Sequence, residues 1–131
     1  MYKCLAMEHV NFVLIDGGQI INISSGLARF SFPGVAVYAA IKSGIEALTR
    51  YFAKEYADRK IRVNSVAPGP INTQFADGKG DENHRQQIAS LIALGRLGEA
   101  EDVGVFVTSL LSDDSRYVNA QRIEVGGGIF I

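Results

Sequence analysis

Residues 19 to 25 read QIINISS, a short and almost continuous apolar run that ends in two serines. A run of this kind suits a strand that is buried on both faces, as in a parallel sheet. Residues 61 to 67 (IRVNSVA), which stop at Pro68-Gly69, are the next predicted strand, and 122 to 125 (RIEV) are the last. The three runs predict a small sheet of parallel strands.

The segments between these runs have helical periodicity. Within 37 to 58, four apolar residues recur at steps of four, three and four, which places them on one stripe of a helix: Ile41, Ile45, Leu48 and Phe52. Residues 100 to 111 follow the i, i+3, i+4, i+7 pattern most closely, and 84 to 94 predict a short helix. Strands that alternate with helices imply βαβ units, hence an α/β fold with parallel pairing and right-handed crossovers.

Composition restricts the possible partners and compartments. The chain has 131 residues, which suits one domain, and a net charge of -1, which favours neither nucleic acid nor an anionic membrane as a partner. No apolar run approaches the roughly 18 residues that would span a bilayer. A single cysteine, Cys4, allows no intrachain disulfide and fits a cytoplasmic protein.

Tyr38 and Lys42 lie four positions apart near the start of the predicted helix. Residues at this spacing share a helix face, with Cβ atoms roughly 5–6 Å apart. A cation beside a phenol stabilises the phenolate form. A tyrosine in this setting can exchange a proton with an alcohol or an alkoxide nearer to neutral pH.

Ser25 ends the first predicted strand, and open parallel sheets bind ligands beyond the carboxyl ends of their strands. A hydroxyl there can support charge that develops on a substrate carbonyl oxygen. None of these side chains carries a hydride, so carbonyl reduction would need a cofactor, usually a nicotinamide. The turn 68 to 73 (PGPINT) is the candidate to hold it, because Gly69 lets a ligand approach the backbone.

Each feature by itself also has an ordinary structural interpretation. A tyrosine and a lysine at this spacing are usually a surface pair, a serine after a strand is usually a cap, and Pro-Gly is usually a turn. The combination and its order favour the catalytic interpretation.

Together these stretches resemble the classical short-chain dehydrogenases/reductases. The resemblance is carried by 20 to 25 (IINISS), 38 to 42 (YAAIK) and 62 to 73 (RVNSVAPGPINT), with further similarity in 94 to 103, 111 to 118 and 121 to 128. It implies a Rossmann-like, doubly wound parallel sheet and an NAD(P)-dependent oxidoreductase that interconverts a carbonyl and an alcohol. The choice between NAD and NADP, and the small-molecule substrate, stay open.

The resemblance also implies roles for individual residues. Ser25 would polarise the substrate carbonyl, Tyr38 would be the general acid or base, and Lys42 would hold the nicotinamide ribose. The nicotinamide end of the cofactor would be lined by Pro68, Gly69, Ile71 and Thr73. Residues 74 to 94 would form a substrate lid. Members of this family are commonly dimers or tetramers, so a homo-oligomer is expected.

The sequence departs from the family pattern at its N-terminal side. No G-x-G-x-x-G turn occurs in the chain, and 1 to 131 resembles only the catalytic, C-terminal half of the family's domain. We therefore expect a partial domain that is inactive, or nearly so, as an isolated monomer. Two alternatives are a non-catalytic remnant that acts as an oligomer partner and, less favoured, an epimerase or dehydratase.

Overall fold

The computed structural model describes residues 16–73 and 82–129 of the chain. The helices and strands of these residues are β1 (Gln19–Ile23), α1 (Ala36–Glu55), β2 (Arg62–Pro68), α2 (Glu82–Ser90), α3 (Ala100–Leu111) and β3 (Arg122–Val125). The sheet has the order β1-β2-β3, and both pairings are parallel, which confirms the predicted α/β class. Residues 2 to 15, whose patchily apolar sequence predicts the end of a helix before the first strand, and part of the lid, 74 to 81, lie outside the described residues.

The register brings the carboxyl ends of all three strands to one edge of the sheet. Ile23 pairs with Val66, and Pro68 pairs with Val125. The segments that follow the strands therefore start side by side, as expected for a parallel sheet. These segments begin with Ser24 after β1, Gly69 after β2 and Gly126 after β3.

Several predicted boundaries needed correction. The predicted helix 84 to 94 begins earlier and ends at Ser90, and the predicted helix 37 to 58 ends at Glu55. A short 3-10 helix, Ala57–Arg59, follows α1, and Lys60 then adopts a left-handed backbone with φ of 55°. That left-handed residue turns the chain into β2, which a smooth helical pattern does not reveal. The bounds of α3 and β3 match the prediction.

The apolar core lies where α1 meets the amino-terminal part of the sheet. Ala53, Ile61 and Val63 are buried together, and Ile20 and Phe52 pack against them. No helix within 16–73 and 82–129 is both long and apolar enough to cross a membrane.

The predicted apolar stripe of α1 is only partly buried, with Phe52 packed against the core. Ile41 is 60% exposed and Leu48 is 45% exposed. The face that meets the sheet instead carries Lys42, Glu46 and Thr49, each of which is hydrogen-bonded to β1 or to the serine after it. Periodicity located the helix but did not show that these polar side chains face the sheet, because their partners lie on β1 and in the residue after it.

Candidate active site

The segment after β1 is a tight, buried turn that contains Ser24 and Ser25. Ser25 adopts extended backbone and caps the 3-10 helix Gly26–Ala28, where its Oγ accepts a 3.2 Å hydrogen bond from the Leu27 N–H. Its side chain is therefore fixed, and the residue is only 8% exposed. The local role as a cap and the predicted role toward a ligand are compatible, because a hydroxyl that accepts one hydrogen bond still has a proton to donate.

Tyr38 and Lys42 lie on one face in the first turns of α1, as predicted. The Lys42 Nζ is 5.6 Å from the centroid of the Tyr38 ring. The same Nζ donates a 2.8 Å hydrogen bond to the carbonyl oxygen of Ile23, the last residue of β1. The structure thus brings the tyrosine and the lysine together, and bonds the lysine to the chain two residues before Ser25.

Further hydrogen bonds attach the inner face of α1 to this end of β1. The Ser24 Oγ donates to the Glu46 carboxylate at 2.6 Å and lies 3.4 Å from the Lys42 carbonyl oxygen. One turn further along the helix, the Asn22 amide donates to the Thr49 hydroxyl at 2.9 Å. These contacts fix both the depth and the rotation of the helix that carries Tyr38.

The turn after β2 is held tightly against β3. The Gly69 N–H donates to the Val125 carbonyl at 3.0 Å. A Cβ on Gly69 would lie 2.6 Å from the Cα of Gly126, so the two glycines allow a close approach that no other residue at position 69 permits. Gly69 was predicted to let a ligand approach the backbone. In the described residues, the group that lies close to Gly69 is Gly126, in the segment after β3.

The far end of the same turn is bound by the segment that precedes α3. The Asn72 N–H donates to the Gly98 carbonyl at 2.7 Å, and the Gly98 N–H donates to the Pro70 carbonyl at 3.0 Å. Ile71 lies between these two bonds, in a parallel bridge with Gly98. Thr73, which was predicted to contact the cofactor, ends this part of the described chain.

A cavity of about 230 Å³ lies against this turn. Its apolar lining comes from Pro70, Ile71, Leu94, Phe106 and Val125. Arg96 and Asp102 also line it and form a 2.7 Å ion pair. Ser25, Tyr38 and Lys42 are not among the lining residues, so the cavity meets the predicted site only through Ile71 of the nicotinamide turn.

Two electrostatic features stand out among the described residues. The hydrogen bond from Arg96, together with that from the Glu99 N–H, lowers the pKa of Asp102 to about 2. Burial acts against the charge of Arg122, yet hydrogen bonds to Glu124 and Glu46 outweigh it and raise the pKa of the guanidinium. No group of three or more His, Cys, Asp or Glu in 16–73 and 82–129 is arranged to hold a metal ion.

Three residues near the site were missed by the sequence analysis: Ser24, Glu46 and Arg122. Glu46 continues the four-residue spacing that begins with Tyr38 and Lys42, so its place on the same helix face as these two residues was detectable. Arg122 gave no comparable signal, because its partners on α1 and in the turn after β1 are far away in the chain.

The arrangement offers a hydroxyl, a phenol and an ammonium at the carboxyl edge of a parallel sheet. Such a set can hydrogen-bond a carbonyl oxygen and exchange a proton with it.

Comparisons with known proteins agree with this description. The sequence profile described as "Enoyl-(Acyl carrier protein) reductase" matches residues 3–129. The chain is 44% identical over 114 residues to a 3-oxoacyl-[acyl-carrier-protein] reductase of Thermotoga maritima, covering 87% of this chain and 46% of that protein. It is 42% identical over 113 residues to a short-chain type dehydrogenase/reductase of Picea abies, covering 86% of this chain and 41% of that protein.

Solved structures give the same result. A blue fluorescent protein from a metagenomic library, in complex with NADPH, superposes with a TM-score of 0.82 at 37% identity, over 91% of this chain and 48% of that one. A short-chain dehydrogenase/reductase from Serratia marcescens has a TM-score of 0.77 at 38% identity, over 86% of this chain and 46% of that one. The chain thus spans about half the length of the relatives that it matches. Sequence and fold together establish that the chain belongs to the short-chain dehydrogenase/reductase family.

Proposed function

We propose that this chain carries the catalytic part of an NAD(P)-dependent oxidoreductase that interconverts a carbonyl and an alcohol. The observation that carries the proposal is the position of Lys42, which is bonded to the end of β1 at 2.8 Å and lies 5.6 Å from the Tyr38 ring centroid. That position links the phenol on α1 to the strand that Ser25 follows.

Each of the three side chains has a role in this proposal. The Tyr38 hydroxyl donates a proton to the substrate oxygen during reduction and accepts it during oxidation. The Ser25 hydroxyl donates a hydrogen bond to the same oxygen and stabilises the charge that develops on it. The Lys42 ammonium supplies positive charge beside the phenol, and the bond to Ile23 keeps it there.

The residues present fit the nicotinamide end of a dinucleotide. An ammonium and hydroxyl groups, from Lys42, Tyr38 and Thr73, are suitable donors for ribose hydroxyls and a carboxamide. The bound nicotinamide would supply or accept the hydride. Pro68 at the end of β2, with Gly69 and Ile71 in the turn after it, would lie along the nicotinamide, at the same edge of the sheet as Ser25. One structural relative is an NADPH complex and another, an angucycline C-6 ketoreductase, has bound NADP, which supports this cofactor class.

We propose that turnover also requires a binding site for the cofactor pyrophosphate. The sequence contains no G-x-G-x-x-G turn for the cofactor pyrophosphate. We therefore expect the 131-residue chain to reduce no ketone at a measurable rate, and a chimaera with the N-terminal half of the Thermotoga maritima reductase to do so. We call this chimaeric protein the fusion. The single cysteine supports a cytoplasmic location.

An oligomer is proposed from the outer face of α1. Val37, Ile41, Leu48 and Tyr51 are spaced as one stripe and are 76%, 60%, 45% and 66% exposed. A connected apolar stripe of this kind is typical of an interface. The same stripe supports the second candidate function, a non-catalytic subunit that pairs with a full-length relative. In that case Ser25, Tyr38 and Lys42 could be replaced without loss of function.

Cofactor titration tests the proposal directly. The purified chain is titrated with NADPH and with NADH while the fluorescence of the nicotinamide is followed. We expect weak, saturable binding that is lost in Lys42→Ala and kept in Lys54→Ala, a lysine near the other end of the same helix. Equal binding by the two variants, or no binding at millimolar cofactor by a chain with native circular dichroism, would contradict the proposed nicotinamide site.

A further inference from the structure

Four charged side chains of alternating sign lie beneath the turn that contains Ser24 and Ser25. Arg122 on β3 donates from Nε to Glu46 at 2.8 Å and from Nη1 to Glu124 at 2.9 Å. The side chains of Arg122, Glu46 and Glu124 are only 20%, 14% and 23% exposed. The more exposed Arg29 lies 3.9 Å from Glu124 and completes the set. We call these four residues the Arg122 cluster.

The cluster contacts both serines of the turn. The Glu46 oxygen that binds Arg122 also accepts the 2.6 Å hydrogen bond from the Ser24 hydroxyl. Arg122 reaches the Ser25 carbonyl oxygen from Nη2 at 3.4 Å. Glu124 lies close to Gly26, the residue after Ser25, since a Cβ on Gly26 would be 3.4 Å from the Glu124 Oε1. One guanidinium thus connects β3, α1 and the turn after β1.

Stability alone is a poor explanation for this arrangement. Charges taken out of water lose hydration, and a buried ion pair is often no more stabilising than apolar side chains of equal size. An ordinary helix–sheet contact at this place would be apolar. The planar guanidinium instead fixes direction, because its donors leave in set orientations toward several acceptors at once. We therefore expect the cluster to fix the positions of the groups that it contacts.

Arg62 provides a contrast within the same sheet. It is also partly buried, and it donates to the carbonyl oxygens of Val118 and Leu110 at 2.9 and 3.0 Å. Leu110 lies at the end of α3, and Val118 lies in the segment between α3 and β3. Both acceptors are away from the serine turn. Arg62 therefore bonds β2 to the end of α3 and to the segment after it. Neither of these two bonds reaches α1.

We propose that Arg122 is a positioning residue, which holds the Ser25 turn at a fixed place relative to the face of α1 that carries Tyr38 and Lys42. The catalytic meaning of this position rests on the proposed function. The position itself does not, because it is a property of the 131-residue chain that can be measured without turnover.

Hydrogen exchange of the Leu27 amide is the measurement, because this N–H donates to the Ser25 Oγ at 3.2 Å. Exchange is followed by NMR in the wild-type chain and in Arg122→Met, Arg122→Lys and Arg62→Met, relative to amides in the last turns of α1, where neither arginine makes one of these bonds. We expect Arg122→Met to speed Leu27 exchange at least about tenfold, and Arg122→Lys to speed it less, since a lysine keeps the charge but not the planar set of donors. Arg62→Met should leave unchanged the ratio of the Leu27 exchange rate to that of the reference amides, which we call the Leu27 ratio.

Two results would overturn the proposal: an unchanged Leu27 ratio in the Arg122 variants, or an equal rise in Arg62→Met. Arg122→Lys keeps the charge beside Glu46 and Glu124, so it carries the test if Arg122→Met does not fold. In the fusion, kcat should fall in Arg122→Met while the KM for NADPH stays the same. A fusion with no wild-type turnover would contradict the proposed function, whereas the exchange result would still decide the role of Arg122.

Discussion

The Lys42 ammonium donates a 2.8 Å hydrogen bond to the carbonyl oxygen of Ile23, the last residue of β1. This bond joins the long helix to the strand end that carries the serine turn. It also explains why a lysine can lie on the inner face of a helix, since its charge is held by a backbone acceptor and its stem crosses the helix–sheet boundary. Polar contacts of this kind join the helix that carries Tyr38 and Lys42 to the strand end that precedes Ser25.

Replacing Ser25 with alanine should affect both stability and turnover. The Ser25 cap on Leu27 would be lost, at a cost of about 1 kcal/mol in the free energy of unfolding. In the fusion, kcat should fall by about 10²- to 10³-fold, because the substrate oxygen would lose a hydrogen-bond donor. Urea unfolding and steady-state kinetics measure the two effects.

Ser43→Ala is the matched control for that change. Its hydroxyl donates to the Ala28 carbonyl at 3.2 Å, so it also bonds the same loop, but it is exposed and lies outside the proposed site. A fall in kcat of equal size in both variants would count against a direct role for the Ser25 hydroxyl.

Gly69→Ala should displace the turn after β2. Its Cβ would lie 2.6 Å from a backbone atom of Gly126, so the turn or the segment after β3 must move. Overpacking of this kind costs about 1–3 kcal/mol in the free energy of unfolding. Cofactor binding should weaken as well, because Pro68, Gly69 and Ile71 would shift together.

Gly104→Ala, within α3, should have the opposite effect on stability. A Cβ there meets nothing within 4 Å, and alanine is favoured over glycine in a helix by up to about 1 kcal/mol. Thermal unfolding of both variants checks the pair. If Gly69→Ala proved as stable as the wild type, the tight contact with Gly126 would be refuted.

The Asp102 carboxylate should remain ionised down to a pH of about 2, which is its pKa when bonded to Arg96 and the Glu99 N–H. Its folded pKa is below the ordinary value of 3.8, so its contribution to stability is complete above that value and is lost as the pH falls toward 2. A carbon-detected NMR titration should give a midpoint near 2, and Arg96→Met should raise it. A wild-type midpoint at the ordinary value would mean that the ion pair does not form in solution.

Charges on the outer stripe of α1 should separate the proposed oligomer. Ile41→Glu or Leu48→Glu would place a carboxylate in the proposed interface and lower the molar mass measured by light scattering after gel filtration. Val105→Glu is the control, because this α3 residue is 72% exposed and lies off the stripe. A wild-type chain that is already a monomer would remove the basis for the proposed interface.

The three strands and their parallel pairing could be predicted, because strand-like runs alternate along the chain with segments of helical periodicity. The pair of Tyr38 and Lys42 was also predictable, since four residues of helix always bring two side chains to one face. These features depend on local spacing, which the sequence shows directly.

The inner face of α1 could not be predicted in the same way. An apolar stripe normally marks the buried side of a helix, yet Ile41 and Leu48 are exposed and Lys42 and Glu46 face the sheet. Their partners, the Ile23 carbonyl and Ser24 among them, become neighbours only when the chain has folded. The contact of Arg122 with Glu46 spans 76 residues of sequence, so spacing gave no indication of it.

Turnover by the fusion is the most direct measurement of the proposed activity. The fusion is given NADPH and acetoacetyl-coenzyme A, a simple 3-oxoacyl probe, and NADPH oxidation is followed by absorbance. We expect turnover in the wild type and in Tyr117→Phe, a fully exposed tyrosine after α3, and a loss of about 10²- to 10⁴-fold in Tyr38→Phe. Equal rates in the two tyrosine variants would contradict the role of Tyr38 as the proton donor, and with it the proposed chemistry of this chain.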